Sequence, residues 1–228
     1  MTLLQLEHVG RTFRMDGIAV HALRDVTVSI AAGEMVAIVG PSGSGKSTLM
    51  NILGCLDRPT DGRYAIAGRE VGTLTDDQLA ALRSRTIGFV FQSYNLLPGT
   101  TALENVATPL LYQGVGRGER QRRAEAALER LGLSDRLGHE PTQLSGGEQQ
   151  RVAIARALIT DPDVILADEP TGNLPVHQGE EVMAILRQLN AGGRTIVLIT
   201  HNPDVARVAG RRIHLCDGEV VASEELAA

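Results

Sequence analysis

The run Gly40-Pro41-Ser42-Gly43-Ser44-Gly45-Lys46-Ser47-Thr48 sets glycines, an ammonium and hydroxyls at the spacing of a phosphate-binding loop. Glycines let the backbone curl so that successive N–H groups face one anion, and the helix that opens near Lys46 adds the positive end of its dipole. Lys46 is placed to reach the β- and γ-phosphates of a nucleotide, and the Ser47 hydroxyl to ligate Mg²⁺. A glycine-rich turn can also bind nothing. Here, however, the lysine and both following hydroxyls stand in register behind an apolar strand ending at Val39.

A second run, Val164-Ile165-Leu166-Ala167-Asp168-Glu169, is an apolar strand that delivers two acids at its carboxyl end, the edge where open α/β sheets bind ligands. Asp-Glu-Pro after a strand can be no more than a solvated turn. Downstream of a phosphate loop it reads as Asp168 in the outer shell of Mg²⁺ and Glu169 polarising the attacking water. Leu144-Ser145-Gly146-Gly147-Glu148-Gln149-Gln150-Arg151 then opens a helix with apolar residues at Val152, Ala155, Leu158 and Ile159. Ser145 and the amides of Gly146 and Gly147 form a second helix N-terminus of phosphate size. In isolation, Ser-Gly-Gly simply starts a helix. Beside a complete phosphate loop, the second site suits a nucleotide held by another copy of the chain.

The elements that position these residues follow from hydrophobic patterning. Met35 to Val39, Ile87 to Phe91, Val164 to Ala167 and Ile196 to Thr200 are short, nearly all-apolar runs, as strands buried on both faces of a parallel sheet require. Shorter alternating runs begin at Met1 to Glu7 and recur at Tyr64 to Ala67 after an Asp61-Gly62 turn, which predicts an antiparallel sheet. Arg211 to Ala222 around Asp217-Gly218 reads as a hairpin. Ala102 to Leu111 and Gln121 to Leu131 read as helices, the second with Ala124, Ala127, Leu128 and Leu131 on one stripe, with a glycine-rich turn at Gly114 to Gly118 between them.

The 228 residues suffice for one core with a dependent subdomain, and no apolar run approaches the roughly 20 residues that span a bilayer. No signal-peptide pattern opens the sequence, so the cytoplasm is the expected compartment. Cys55 and Cys216 lack the spacing of a zinc site or disulfide framework and are expected to be buried packing residues. A net charge of −5, no Trp and few aromatics argue against nucleic acid as a partner.

Taken together, these motifs resemble the ATP-binding cassette family along nearly the whole chain. The resemblance implies that Leu144 to Gln149 is the family signature, with Ser145, Gly146, Gly147 and Glu148 facing the γ-phosphate of ATP on the opposite subunit's phosphate loop. Gln92 falls at the Q-loop, where the glutamine senses Mg²⁺ and the γ-phosphate and couples to the transporter. His201 matches the switch histidine. Phe13 looks like the aromatic that stacks on adenine, with Val20 nearby; as a bare observation, Phe13 would more often be core. Met50 to Asp57 and Ala167 to Leu174 resemble the macrolide-exporter and lipoprotein-release group of the family.

The expected architecture is an α/β phosphate-loop NTPase core with a mainly parallel sheet, a flanking antiparallel β-subdomain, and a helical subdomain carrying the signature. Core segments are expected at about 1–91 and 160–228 and the helical part at about 93–159, all within one nucleotide-binding domain. The implied cofactors are ATP and Mg²⁺. The implied assembly is a homodimer around two ATP molecules, on the cytoplasmic face of a membrane, with a permease seated near Gln92 and Ser93 to Leu111. A cassette acting on ribosomes or DNA, and an ATP sensor with little catalysis, are the rival readings. The sequence departs from the family pattern at Pro175, where an aspartate normally follows Asn173-Leu174. Proline removes both the carboxylate and an N–H, so either the dimer seam closes poorly and turnover slows, or other seam contacts suffice.

Overall fold

The structure, a computed structural model, describes residues 1–15 and 18–226. In chain order its strands and helices are β1 (Thr2–Met15), β2 (Ile18–Ala31), β3 (Met35–Val39), α1 (Lys46–Leu53), β4 (Asp61–Ile66), β5 (Arg69–Glu70), α2 (Asp76–Thr86), β6 (Ile87–Val90), α3 (Ala102–Tyr112), α4 (Arg117–Arg130), α5 (Gly146–Leu158), β7 (Val164–Asp168), α6 (Val176–Ala191), β8 (Thr195–Ile199), α7 (Pro203–Ala206), β9 (Arg211–Cys216) and β10 (Glu219–Glu225). They fall into two compact units, one of residues up to Arg83 together with those from Leu189 on, the other Ser84–Gln188.

The first unit holds two sheets. One is antiparallel in the order β2-β1-β4-β5. In the other, β3 pairs in parallel with β8 and β9, and β10 closes on β9 as an antiparallel hairpin. Residues Met35 to Ile38 and every residue of β8 are buried, as the all-apolar runs require. The Asp217-Gly218 turn of the hairpin has both residues at positive φ, 49° and 83°, which matches the right-handed twist of the strands it joins.

Asp61-Gly62, expected as a turn, instead opens β4. The positive φ of Gly62 (78°) serves a strand irregularity, not a reversal: β1 and β4 slip register between Glu7 and Gly10, and a side chain at Gly62 would lie 2.1 Å from the His8 carbonyl. Cys55 is buried and burial pushes its thiol up to about 11, against the opposing charge of Arg83. Cys216 is only half-buried, contrary to expectation, and neither cysteine is in a disulfide.

The second unit pairs β6 with β7 in parallel and packs α3, α4 and α5 around an apolar cluster that includes Val106, Leu110, Ala124, Leu128, Val152 and Ala155. Helix α3 starts at a capping box, with Thr101 accepting from the Glu104 N–H and Glu104 accepting from the Thr101 N–H. Buried Asn105 fixes the preceding loop: its Oδ1 accepts from the Leu97 N–H at 2.7 Å, and its Nδ2 donates to the Thr100 hydroxyl at 2.8 Å. Helix α4 begins at Arg117, earlier than the apolar stripe indicates, so Gly118 lies inside it and the glycine turn shrinks to Gly114 and Gly116. Its first turn is polar all round and leaves no periodic signal. Gly88 lets β6 approach α5, since a Cβ there would meet the Ala157 carbonyl at 2.5 Å. Among the described residues, no helix is long and apolar enough to cross a membrane.

Leu128 is fully buried within this cluster. Leu128→Ala is expected to cost about 2–5 kcal/mol in urea denaturation, from lost transfer energy plus the cavity left behind. A loss well below that range would show that the α4 stripe does not carry the packing assigned to it.

Candidate functional site

In the first unit the phosphate loop leaves the carboxyl end of β3 and closes on α1. Gly45 has φ 99°, and a Cβ on it would lie 2.5 Å from the Ala22 carbonyl. A Cβ on Gly40 would lie 2.0 Å from the Leu215 carbonyl. The loop is therefore pressed onto the backbones of β2 and β9, an approach that only glycine permits. The Ser44 carbonyl accepts from the Gly218 N–H at 3.0 Å, and the Ser44 hydroxyl is buried beside Gly40 without a hydrogen-bond partner. Lys46 Nζ donates to the carbonyls of Gly40 at 2.9 Å and Pro41 at 2.7 Å. An ammonium has three N–H donors, so one remains for an anion. No side chain caps the start of α1, and the loop's fit to phosphate rests on that uncapped N-terminus, the glycine cradle and the positioned ammonium. Ser47 is exposed and Thr48 half-buried.

Ile38 and Ile199 are register partners, and the Thr200 N–H donates to the Ile38 carbonyl at 3.2 Å. His201, exposed, thus leaves the same sheet edge as the loop. Farther along β1 and β2, Phe13 and Val20 are cross-strand partners. The Arg11 guanidinium lies 4.6 Å from the Phe13 ring centroid, so a cation already covers one face and a stacked base would use the other.

In the second unit, Val90 and Ala167 are register partners, which brings Gln92 and the acids Asp168 and Glu169 to one edge. Glu169 sits at φ 42°, a left-handed conformation that costs a non-glycine residue on the order of 1–3 kcal/mol and persists only where neighbours enforce it. Its carbonyl accepts from the Gly172 N–H at 2.9 Å, and the buried Gln150 side chain of α5 donates to the Pro170 carbonyl at 2.7 Å. Gln92 and Asn173 are bonded twice: Gln92 Nε2 donates to Asn173 Oδ1 at 3.1 Å, and Asn173 Nδ2 donates to the Gln92 carbonyl at 3.0 Å. That arrangement leaves Gln92 Oε1, the atom a cation would take, outside the pair. Ser47 in the first unit, and Gln92 and Asp168 in the second, each carry an oxygen donor, the ligand chemistry Mg²⁺ selects.

The signature helix begins as its sequence predicts. Ser145 is the N-cap of α5, its hydroxyl accepting from the Glu148 N–H while the Glu148 carboxylate accepts from the Ser145 N–H at 2.8 Å. Arg136 Nε donates to the same carboxylate at 2.8 Å. The Ser145 backbone bond first and Arg136 second hold the Glu148 carboxyl down to about 2. The Gly147 N–H donates to Gln178 Oε1 at 2.9 Å. From within α5, Arg156 donates to the carbonyls of Tyr94 and Asn95, both at positive φ, just beyond Gln92.

The first unit thus holds Gly40 to Thr48, His201, Phe13 and Val20, and the second holds Gln92, Asp168, Glu169 and Ser145 to Glu148. Sequence reasoning missed Asn173, Arg156 and Gln178. Gln178 could have been found, because it is the third residue of α6, where a glutamine usually reaches back to cap its own helix.

The family model described as ABC transporter matches residues 23–172, which include the phosphate loop, Gln92, the signature and both acids. This chain belongs to the ABC transporter family. Among curated relatives of this ABC cassette, the macrolide export ATP-binding/permease protein MacB of Brucella melitensis biotype 1 is 55% identical over 96% of the chain. The MacB of Salmonella typhimurium is 57% identical, also over 96%. The chain spans 34% of the length of each. Among solved structures, a dimeric post-hydrolysis state of the ATP-binding cassette MJ0796 bound to ADP and Pi superposes with a TM-score of 0.91 at 46% identity, covering 99% of this chain and 100% of that one. CbiO1 from Clostridium perfringens, part of the ABC transporter complex CbiONQ, gives 0.86 at 27% identity, covering 98% of this chain and 88% of that one. The fold expectation, an α/β phosphate-loop core with an antiparallel β part and a helical part, is the cassette fold of these structures.

The folded Glu148 carboxyl titrates below its ordinary value of 4.5, so the stability it contributes is fully present above that value and is lost as pH falls from about 4.5 toward about 2. Thermal melts across this window are expected to fall less steeply for Glu148→Gln than for the unaltered ABC cassette. Parallel curves would show that the capping carboxylate contributes nothing to acid sensitivity.

Proposed function

We propose that the chain is the MgATP-hydrolysing motor subunit of an ABC transporter, two copies closing around two ATP molecules to drive a membrane permease that lies outside this sequence. The observation that carries this reading is that one chain holds two phosphate-sized helix N-termini, an uncapped one at α1 behind Lys46 and one at α5 behind Ser145. One ATP needs the first, and the second then serves ATP on a partner copy. The related cassette MJ0796, solved as a dimer and with ADP and Pi bound, supports the same assembly here.

In this reading the whole chain works as one nucleotide-binding domain. Lys46, held over the loop by two carbonyls, contributes its remaining N–H to the β- and γ-phosphates. Phe13 and Val20 take the adenine. Ser47, Gln92 and Asp168 hold Mg²⁺, which supplies neutralising charge on the phosphates when bound. Glu169 polarises the attacking water, and His201 contacts the γ-phosphate. Ser145, Gly146, Gly147 and Glu148 complete the partner's site. The doubly bonded Gln92–Asn173 pair ties the Q-loop to the segment that enters α6, so in this reading the reaction and the permease surface are linked by side-chain hydrogen bonds. Exposed Leu97, Leu111 and Tyr112 supply apolar area at and beside Ser93 to Leu111, the stretch assigned to the permease. The MacB relatives, named as macrolide export ATP-binding/permease proteins, support a macrolide-export type of permease, while the lipoprotein-release alternative and a place on the cytoplasmic face of the inner membrane rest on the sequence resemblance alone.

Steady-state ATPase and size-exclusion chromatography test the reading together. Glu169→Gln is expected to lower hydrolysis by about 10²-fold or more while trapping an ATP-bound dimer. Absence of hydrolysis by the unaltered protein, with no ATP-driven dimer in the variant, would overturn the motor and favour an ATP sensor.

A further inference from the structure

We propose that Gln178 is a positioning residue that occupies the signature amide in the single chain and must leave it for the nucleotide sandwich to close; this rests on the motor reading above. Gly147 is buried, and its N–H donates to Gln178 Oε1 at 2.9 Å. The contact is tight as well as bonded: a Cβ on Gly147 would lie 2.9 Å from that oxygen and 3.1 Å from Cδ of the same side chain. The N–H groups of the next two residues are engaged too, Glu148 with the Ser145 hydroxyl and Gln149 with the Ser145 carbonyl. Those two bonds are internal to the helix cap and survive any docking. The Gly147–Gln178 bond joins α5 to a different helix, and it competes directly with an incoming phosphate for the same donor.

Gln178 is available for this contact because of Pro175. Helix α6 starts at Val176, and the Pro175 carbonyl accepts the first helical bond from the Gly179 N–H at 3.0 Å, so Pro175 is the N-cap and Gln178 the third helical residue. At that position a glutamine normally closes a capping box by accepting the N–H of the N-cap residue. Proline has no N–H to give and no side-chain acceptor to return. Deprived of its local donor, the Gln178 amide oxygen turns outward to the Gly147 N–H. The proline therefore acts on the seam through a neighbouring glutamine as well as through its own lost carboxylate.

The test is a set of ATP-driven dimerisation constants in the Glu169→Gln background, read by analytical ultracentrifugation, with Gly147 amide exchange in the nucleotide-free chain as a second readout. Gln178→Ala is expected to speed exchange at Gly147 and to tighten the dimer roughly three- to tenfold, the range of one net hydrogen bond. Gln178→Glu, which strengthens the bond and sets a negative charge against the phosphate, is expected to weaken the dimer by at least as much. Pro175→Ser restores both partners of the capping box and is expected to tighten the dimer on its own, while adding Gln178→Ala to it yields no further gain. Equal dimerisation constants for all variants, or unchanged exchange at Gly147 in Gln178→Ala, would overturn the proposal alone. Failure of every variant to dimerise with ATP would overturn it together with the motor reading.

Discussion

In-register parallel pairing of short buried strands is the constraint on which the chemistry depends. Ile38 beside Ile199 in one unit and Val90 beside Ala167 in the other mean that the segments following paired strands emerge at a common edge. The strands themselves supply no chemistry. Being apolar on both faces, they cannot shift register without moving a half-buried polar residue such as Asp168 into a place that an apolar one fills. The phosphate loop with His201, and Gln92 with Asp168 and Glu169, are therefore placed by packing before any ligand is considered. This agrees with the rule that ligands of α/β sheets gather at the carboxyl ends of strands.

Within that frame, the reactive segments are held by backbone contacts that tolerate almost no substitution. Gly40 and Gly45 press the phosphate loop against the Leu215 and Ala22 carbonyls, and the left-handed Glu169 turns the chain so that Gly172 can bond back to it. Around the acid edge, side-chain amides act as ties: Gln150 to the Pro170 carbonyl, Gln92 to Asn173, and Gln178 to the Gly147 N–H. An amide can donate and accept at once without carrying charge, so it can join two segments beside the Asp168 and Glu169 carboxylates without adding a charge of its own.

Much of this was legible in the sequence. The strand limits of β3, β7 and β8 came within a residue of the apolar runs, because burial on both faces leaves no room for ambiguity there. The start of α5 at Ser145 was read from the Ser-Gly-Gly run, whereas the reciprocal bond from Glu148 emerged only in the structure. What could not be read has physical reasons. The first turn of α4 carries no apolar side chain, so periodicity gave no start. Asp61-Gly62 has turn chemistry but is used for a strand irregularity, since a left-handed glycine serves either purpose. Asn105 and Arg156 hold loops through bonds to carbonyls, and backbone acceptors exist at every position, so composition does not reveal which one a side chain reaches.

Pro175 shows how a departure visible in the sequence acts through contacts that only the fold brings together. From the sequence, the loss is a carboxylate and an N–H at the place where a dimer seam is expected. In the structure, the same residue is the N-cap of α6, and the missing N–H is one that Gln178, three residues on, would ordinarily accept. The unsatisfied amide oxygen has found a donor on another helix, at Gly147 of the signature. A local backbone deficit is thereby exported to the helix end that a partner's phosphate would need. The substitution and the signature are far apart in sequence, and it is the demand of each buried or half-buried polar group for a partner that links them.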